Sequence, residues 1–193
     1  EHGSDKKCCS QCEICREFLP HGTSVVNMMH KSRKFSVNML NLKVDVNFNA
    51  MRIAESELII NGDGSVFHLH LRPEELADTV ILVGDPGRAD MVAEYFEEKE
   101  FRHASREFVS ITGKYKGVRM TVLSTGIGTD NIDIVMNELD ALANVDFETR
   151  EIKPVHRSLN ILRIGTSGAI QPEIPIGGFV FSHISVGCDG LMN

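Results

Sequence analysis

The sequence contains no apolar run approaching the about 20 residues that a bilayer-spanning helix needs. Its first residues contain no apolar stretch of the signal-peptide kind. It also lacks an excess of positive charge, since the net charge is −7 and the pI is near 5.6. This charge argues against nucleic acid as the main partner, because a phosphate backbone binds to a basic face. We therefore expect a cytoplasmic protein with neither a membrane nor a nucleic-acid partner.

Cysteine is scarce in the body of the chain, where only Cys188 occurs; the other four are packed into the first fifteen residues. The spacing of those four resembles the start of an iron–sulfur run, but Leu19 stands before Pro20, where a fourth ligand would be expected. A zinc site that also uses His21 or His30 is the alternative. The missing ligand favours the absence of a metal, and we treat a metal-binding leader as the weaker hypothesis.

The first fifty residues differ in kind from the rest. Residues 24–49 show no clean helical or strand period, whereas the pattern from Met51 onward is typical of a folded domain. We interpret residues 1–50 as a disordered, cysteine-containing leader and residues 51–193 as the domain.

Three strand–glycine turn–helix units predict an α/β sheet in that domain. The first is Val80–Arg88, an apolar run followed by Gly-Asp-Pro-Gly-Arg; the others are the run ending at Ser124 and the run ending at Ile164, each followed by glycines. Ligands of open α/β sheets bind beyond the carboxyl ends of the strands. Glycine turns and Arg88 suit an anion there, because free N–H groups and a guanidinium bind phosphate.

Other elements are expected from local patterns. An apolar stripe of Met91, Val92, Tyr95 and Phe96 predicts a core-facing helix from residue 89 to 96. Further expected elements are a short helix at 72–76, a hairpin of 106–112 and 117–124, a helix capped by Thr129 or Asp130, a surface loop at 146–158 and a strand at 179–186.

Five motifs taken together resemble the hexameric nucleoside phosphorylases, with uridine phosphorylases the most similar. The resemblance covers about residues 64–193. It rests, in order, on Val-Phe-His-Leu at 66–69, Gly-Asp-Pro-Gly-Arg at 84–88, Arg-Glu-Phe at 106–108, Ser-Thr-Gly-Ile-Gly at 124–128 and Arg-Ile-Gly-Thr-Ser-Gly-Ala-Ile-Gln at 163–171.

The resemblance implies a three-layer α/β/α phosphorylase-type fold around a mixed, partly barrel-like sheet. It also implies reversible phosphorolysis, in which inorganic phosphate and a nucleoside give a free base and ribose 1-phosphate. Phosphate is then a co-substrate, and neither a metal nor an organic cofactor is implied. The implied assembly is a homo-oligomer, built from dimer units and hexameric in the family.

The resemblance also implies the site residues. Arg106 and His68 would reach the site of a neighbouring subunit, and no catalytic residue is assigned within this chain, which shows no Ser-His-Asp or Cys-His arrangement. Phosphate would be held by Gly84, Arg88, Arg106, Arg163, Gly165 and Thr166, and the nucleoside by Phe67, His68, Thr166, Ser167 and Gly168.

Two alternatives remain open. Gly-Asp-Pro-Gly-Arg is shared by purine nucleoside phosphorylases and related nucleosidases, so the base is not fixed by that motif. The chain also ends at Asn193, little more than halfway through the family pattern, and the later ribose- and base-binding segments have no match. We therefore keep the hypothesis of an inactive, truncated fragment that binds phosphate or associates with intact subunits.

Overall fold

The computed structural model describes residues 24–29, 52–168 and 170–182 of the chain. Within these described ranges, two helices, α1 (Pro86–Ala93) and α2 (Thr129–Asn144), accompany the strands of two sheets. The strands are β1 (Ser24–Met29), β2 (Thr79–Val83), β3 (Glu98–Ser105), β4 (Phe108–Tyr115), β5 (Val118–Ser124), β6 (Val145–Asp146), β7 (Glu151–Ile152), β8 (Asn160–Thr166) and β9 (Phe179–Phe181).

A mixed sheet of seven strands in the order β3-β4-β5-β2-β8-β1-β9 forms the middle layer. The sheet is open as far as the structure describes it, so the partial barrel closure expected from the resemblance is not seen among these strands. β5, β2 and β8 are parallel neighbours, whereas β3, β4 and β5 form an antiparallel meander. A separate two-stranded sheet pairs β6 with β7.

β2 lies at the centre of the seven-stranded sheet, and both of its faces are covered. Ile81 and Val83 pack into the cluster that contains the apolar residues of α1, and Val80 and Leu82 pack into the cluster that contains those of α2. A strand buried on both faces needs a continuous apolar run, which Thr79–Val83 supplies. Helices on opposite faces give the expected three layers.

β1 comes from the stretch that we interpreted as a leader. Its six residues pair antiparallel with β8, and its first three pair parallel with β9. The rest of residues 1–51 lies outside the described residues, as do the four clustered cysteines. The division at residue 51 and the metal hypothesis therefore stay predictions.

Several local expectations are corrected. α1 ends at Ala93, and Met91 and Tyr95 are 56% and 41% exposed instead of buried, because the short helix turns Ala89, Val92 and Ala93 inward. Residues 73–75 form only a turn, and β3 was not predicted. The N-cap of α2 is Gly128, which cannot cap the helix with a side chain, where Thr129 or Asp130 was expected.

Other expectations are confirmed with shifted bounds. The hairpin turn falls at Lys116 and Gly117, both with positive φ, as a two-residue hairpin requires. The predicted loop at 146–158 contains only the last residue of β6 and the short β7, and the final strand is described as Phe179–Phe181. The described helices include none that is both long and apolar enough to cross a membrane.

Candidate phosphate and nucleoside site

Three turns lie at one edge of the sheet, at the carboxyl ends of its parallel strands. Val83 pairs with Ser124 across β2 and β5, and Leu82 pairs with Arg163 across β2 and β8. Gly84 directly follows β2, while Gly165 lies near the end of β8. This arrangement confirms the predicted ends of β2 and β5, whereas β8 continues past the predicted end at Ile164 to Thr166. It produces the kind of crevice in which open α/β sheets bind ligands.

The turn after β2 leaves space beside its backbone. A Cβ placed on Gly84 would meet no atom within 4 Å. The next residue, Asp85, is the N-cap of α1 and accepts a hydrogen bond from the backbone N–H of Arg88 over 3.1 Å. Pro86 begins the helix with its φ already restricted. The main chain at Gly84 is therefore open to a ligand at the start of a helix.

The arginines of the described residues fall into two groups. Six of nine donate to carboxylates or backbone carbonyls, whereas Arg88, Arg106 and Arg163 have no side-chain hydrogen bond or ion pair with any described residue. The six engaged arginines are Arg52, Arg72, Arg102, Arg119, Arg150 and Arg157. A guanidinium carries five N–H donors, so an unengaged one can bind an anion bidentately. The three are the arginines that the resemblance assigns to phosphate.

Arg106 lies at the same edge, in the two-residue turn between β3 and β4. Its φ of 53° is in the left-handed region, and its side chain is exposed. The hydroxyl of Ser124 donates to the carbonyl of Glu107 over 2.6 Å and accepts the N–H of Val109 over 2.7 Å. The turn that presents Arg106 is thus attached to the carboxyl end of β5.

The glycine turn after β5 packs against the Arg106–Glu107 turn. Asn131 donates to the carboxylate of Glu107 over 2.9 Å and to the carbonyl of Ile127 over 3.3 Å. Gly126 has a φ of +67°, and a Cβ there would lie 2.7 Å from Nδ2 of Asn131. Glycine is required at this position by both its backbone conformation and the close approach.

The expected nucleoside residues at the end of β8 are exposed. Thr166 is its last residue, Ser167 and Gly168 follow it, and the hydroxyl of Ser167 donates to the carbonyl of Gly168 over 3.3 Å. They lie at the edge that carries Gly84 and are open to a ligand.

Phe67 and His68 lie in a different environment. They form a turn beside α2. They line a cavity of about 430 Å³ between residues 53–59 and α2, and none of the predicted phosphate residues lines it. Within one chain, Phe67 and His68 therefore lie apart from the predicted phosphate residues.

Glu138 is the residue of this region that sequence reasoning missed. Its carboxylate accepts from the backbone N–H groups of His68 and Leu69, and one oxygen lies 2.6 Å from Nδ1 of His68. The partners are 70 positions apart, so no local pattern indicates the contact. Within the described ranges, no group of three or more His, Cys, Asp or Glu residues could hold a metal ion.

The model of the family described as the phosphorylase superfamily matches residues 78–190, which is more than half of the chain. The chain belongs to the phosphorylase superfamily. The match covers β2, both helices and β8, and therefore the whole edge that carries Gly84, Arg88 and Arg163.

Individual relatives agree with this assignment. The chain is 34% identical over 128 residues to the uridine phosphorylase of Thermococcus kodakarensis, covering 66% of this chain and 41% of the relative. It is 36% identical over 119 residues to the DeoD-type purine nucleoside phosphorylase of Thermoanaerobacter sp., covering 61% of this chain and 46% of that protein. The chain thus spans less than half the length of these curated relatives.

A solved structure supports the same fold. The crystal structure of a Trypanosoma brucei nucleoside phosphorylase that shows uridine phosphorylase activity superposes with a TM-score of 0.56 at 37% identity. The match covers 61% of this chain and 41% of that one.

Proposed function

We propose that the chain carries the phosphate-binding part of a nucleoside phosphorylase site and that the reaction is phosphorolysis, with uridine as the preferred nucleoside. The observation that carries the proposal is that three arginines have no side-chain partner among the described residues, and that two of them, Arg88 and Arg163, lie on elements next to the open turn at Gly84. Gly165 and Thr166 complete the proposed phosphate contacts. Inorganic phosphate is the co-substrate, and no metal or organic cofactor takes part.

The chemistry that such a site performs follows from its charge. An oxygen of phosphate attacks the anomeric carbon as the bond from that carbon to the base nitrogen breaks. The electron pair of the broken bond leaves with the base, which then takes up a proton. The guanidinium groups hold the anion beneath the cationic sugar that develops in the transition state. Orientation of the reactants and electrostatic stabilisation therefore account for the rate enhancement.

Residues of two chains contribute to one site in this proposal. Ser167 and Gly168 contact the nucleoside within the chain, whereas Phe67, His68 and Arg106 serve the site of a second copy. Phe67 and His68 line a cavity that no predicted phosphate residue of the same chain lines, which is consistent with this division. The proposed assembly is a homo-oligomer of dimer units, hexameric as in the family.

The direct test is release of uracil from uridine with and without inorganic phosphate. Arg88→Ala and Arg163→Ala should each lower phosphate-dependent turnover about 100-fold, the magnitude typical for loss of one donor to a transition state. Arg102→Ala is the matched control, because that exposed guanidinium already pairs with Asp90 over 3.1 Å. Normal turnover by either site variant would contradict the phosphate assignment.

A second candidate function is phosphorolysis of a purine nucleoside. The similarity to a purine nucleoside phosphorylase is as high as that to uridine phosphorylases. Parallel assays with uridine and inosine distinguish the two functions, and a clear preference for inosine would contradict the uridine assignment.

Binding of phosphate without turnover of either nucleoside would favour the remaining alternative, an inactive chain that retains only the anion site.

A further inference from the structure

The carboxylate of Glu138 is buried and receives hydrogen bonds from one short turn. Oε1 accepts the backbone N–H of His68 over 3.0 Å, and Oε2 accepts that of Leu69 over 2.9 Å. Glu138 itself is 8% exposed. A buried carboxylate without such donors would be costly, so the turn and the helix stabilise each other at this point.

The same carboxylate also contacts the imidazole. Oε1 of Glu138 lies 2.6 Å from Nδ1 of His68. A carboxylate has no proton to donate, so the hydrogen of this bond belongs to Nδ1. In a neutral imidazole only one nitrogen carries a hydrogen, and Nε2 is then left with its lone pair.

Two aromatic rings hold the plane of the imidazole. The ring of Phe67 lies edge-on with centroids 4.9 Å apart, and the ring of Phe108 lies at 6.3 Å in a similar arrangement. The side chain of His68 is still 27% exposed and lines the cavity beside α2. Nε2 has no hydrogen bond within the part of the chain that the structure describes, so it is available to a ligand.

We infer that Glu138 is a positioning residue, which fixes His68 in the Nδ1–H tautomer so that Nε2 acts as a hydrogen-bond acceptor. Such an acceptor matches a hydroxyl group, and the sugar of a nucleoside supplies hydroxyl groups. This inference deepens the proposed function and rests on it for the identity of the ligand. The tautomer itself is a property of the chain alone.

Glu138→Gln tests whether the carboxylate sets the tautomer of His68. Oε2 of Glu138 lies 3.2 Å from the backbone nitrogen of His68 and 2.9 Å from that of Leu69, so the amide oxygen of glutamine at this place can still accept both N–H groups and support the turn. The amide NH₂ then faces Nδ1 as a donor and favours the opposite tautomer, with the hydrogen on Nε2. Asp140→Asn is the matched control, because Asp140 lines the same cavity on the same helix but contacts Asn144 instead of His68.

The decisive experiment is ¹⁵N–¹H correlation of the full chain labelled in histidine, at about pH 8, where an unperturbed imidazole is neutral. A His68→Gln sample assigns the resonances. The expected result is a protonated Nδ1 and an unprotonated Nε2 in the native chain and in Asp140→Asn, with the pattern reversed in Glu138→Gln. A protonated Nε2 in the native chain would overturn the inference, whether or not Glu138→Gln folds.

Kinetics give the second readout. In Glu138→Gln, the KM for the nucleoside should be about 10-fold to 100-fold higher than in the native protein, as expected for a misplaced contact. The KM for phosphate should be the same in both proteins. An equal rise in both constants would show a general loss of structure and would contradict the positioning role. If the native chain shows the expected tautomer but turns over no nucleoside, the proposed function fails, whereas the conclusion that Glu138 sets the tautomer of His68 stands.

Discussion

The side-chain amide of Asn131, on the first turn of α2, donates to the carboxylate of Glu107 over 2.9 Å. The same amide donates to the carbonyl of Ile127 over 3.3 Å. One side chain thus joins the turn that presents Arg106 to the glycine turn at the end of β5. Together with the hydroxyl of Ser124, this link holds the turn from which Arg106 projects.

Asn131→Ala should therefore weaken both the fold and the presentation of Arg106. Loss of a hydrogen bond to a charged group costs about 1.5–3 kcal/mol, and partial exposure places the expected value near the lower end. Urea denaturation measures this free energy of unfolding. Asn137→Ala is the control, because the amide of Asn137 is exposed on the same helix and its hydrogen bonds to described residues all go to Asp133. Equal losses in the two variants would contradict the assigned link.

Gly126→Ala should be more damaging than an ordinary glycine substitution. The added methyl group would lie 2.7 Å from Nδ2 of Asn131 and 2.8 Å from Cγ of Glu107, and alanine is strained at a φ of +67°. We expect a loss of about 2–3 kcal/mol in the free energy of unfolding from strain and displaced contacts together.

Gly62→Ala provides the comparison for that variant. A Cβ at Gly62 meets nothing within 4 Å, and its φ is not positive. Its stability in urea should stay within about 0.5 kcal/mol of the native value or rise slightly, because alanine restricts the unfolded chain. A Gly126→Ala protein as stable as Gly62→Ala would show that the two turns can separate freely.

Gly84→Ala separates phosphate binding from folding. The space beside Gly84 accepts a methyl group without a clash, so stability without ligand should be unchanged. Saturating phosphate at 100 times its Kd stabilises a binding protein by about 2.7 kcal/mol. Thermal unfolding with and without phosphate should show this gain in the native chain and a much smaller one in Gly84→Ala. An undiminished gain would remove Gly84 from the phosphate site.

Glu75 should make stability depend on pH. Burial raises its pKa, but hydrogen bonds from the side chain and backbone of Arg72, together with the charge of His103, outweigh burial and leave the pKa of Glu75 below its ordinary value of 4.5. A carboxylate with a lowered folded-state pKa contributes its full stabilisation above about 4.5, and that contribution is lost as the pH falls through the folded value.

Urea denaturation between neutral pH and about pH 3 tests this effect. Glu75→Gln should lower the free energy of unfolding by about 1.5–3 kcal/mol at neutral pH, and the difference from the native chain should shrink as the pH falls. Glu74→Gln is the control, since Glu74 also lies near Arg72 but is 65% exposed, and its effect should stay below about 1 kcal/mol. A pH-independent difference for Glu75→Gln would contradict the argument.

The sequence predicts the centre of the fold better than its edges. β2 is recognisable because burial on both faces demands an uninterrupted apolar run. β3 is not, because Glu98–Ser105 is a strand at the edge of the described sheet with no fully buried residue, and its sequence carries no apolar alternation. Met91 and Tyr95 share the period of the core residues of α1, yet only the packing of a short helix on one face decides which of them is buried.

The candidate site shows the same division. Gly84, Arg88 and Arg163 stand in ordered motifs, so a resemblance identifies them. Their lack of partners among the described residues is a three-dimensional property. The contact between Glu138 and His68 joins distant parts of the chain through a turn and a helix, and only tertiary structure reveals it.

The outer strand β3 has a consequence for behaviour at high concentration. It places both signs of charge on the edge of the sheet as far as the structure describes it, with Glu98, Lys99, Glu100 and Arg102 in close succession. Its pairing with β4 shifts register between Lys99 and Phe101. A strand from another molecule would meet an irregular ladder and alternating charges instead of a flat apolar template. Fibril growth from this edge is therefore disfavoured.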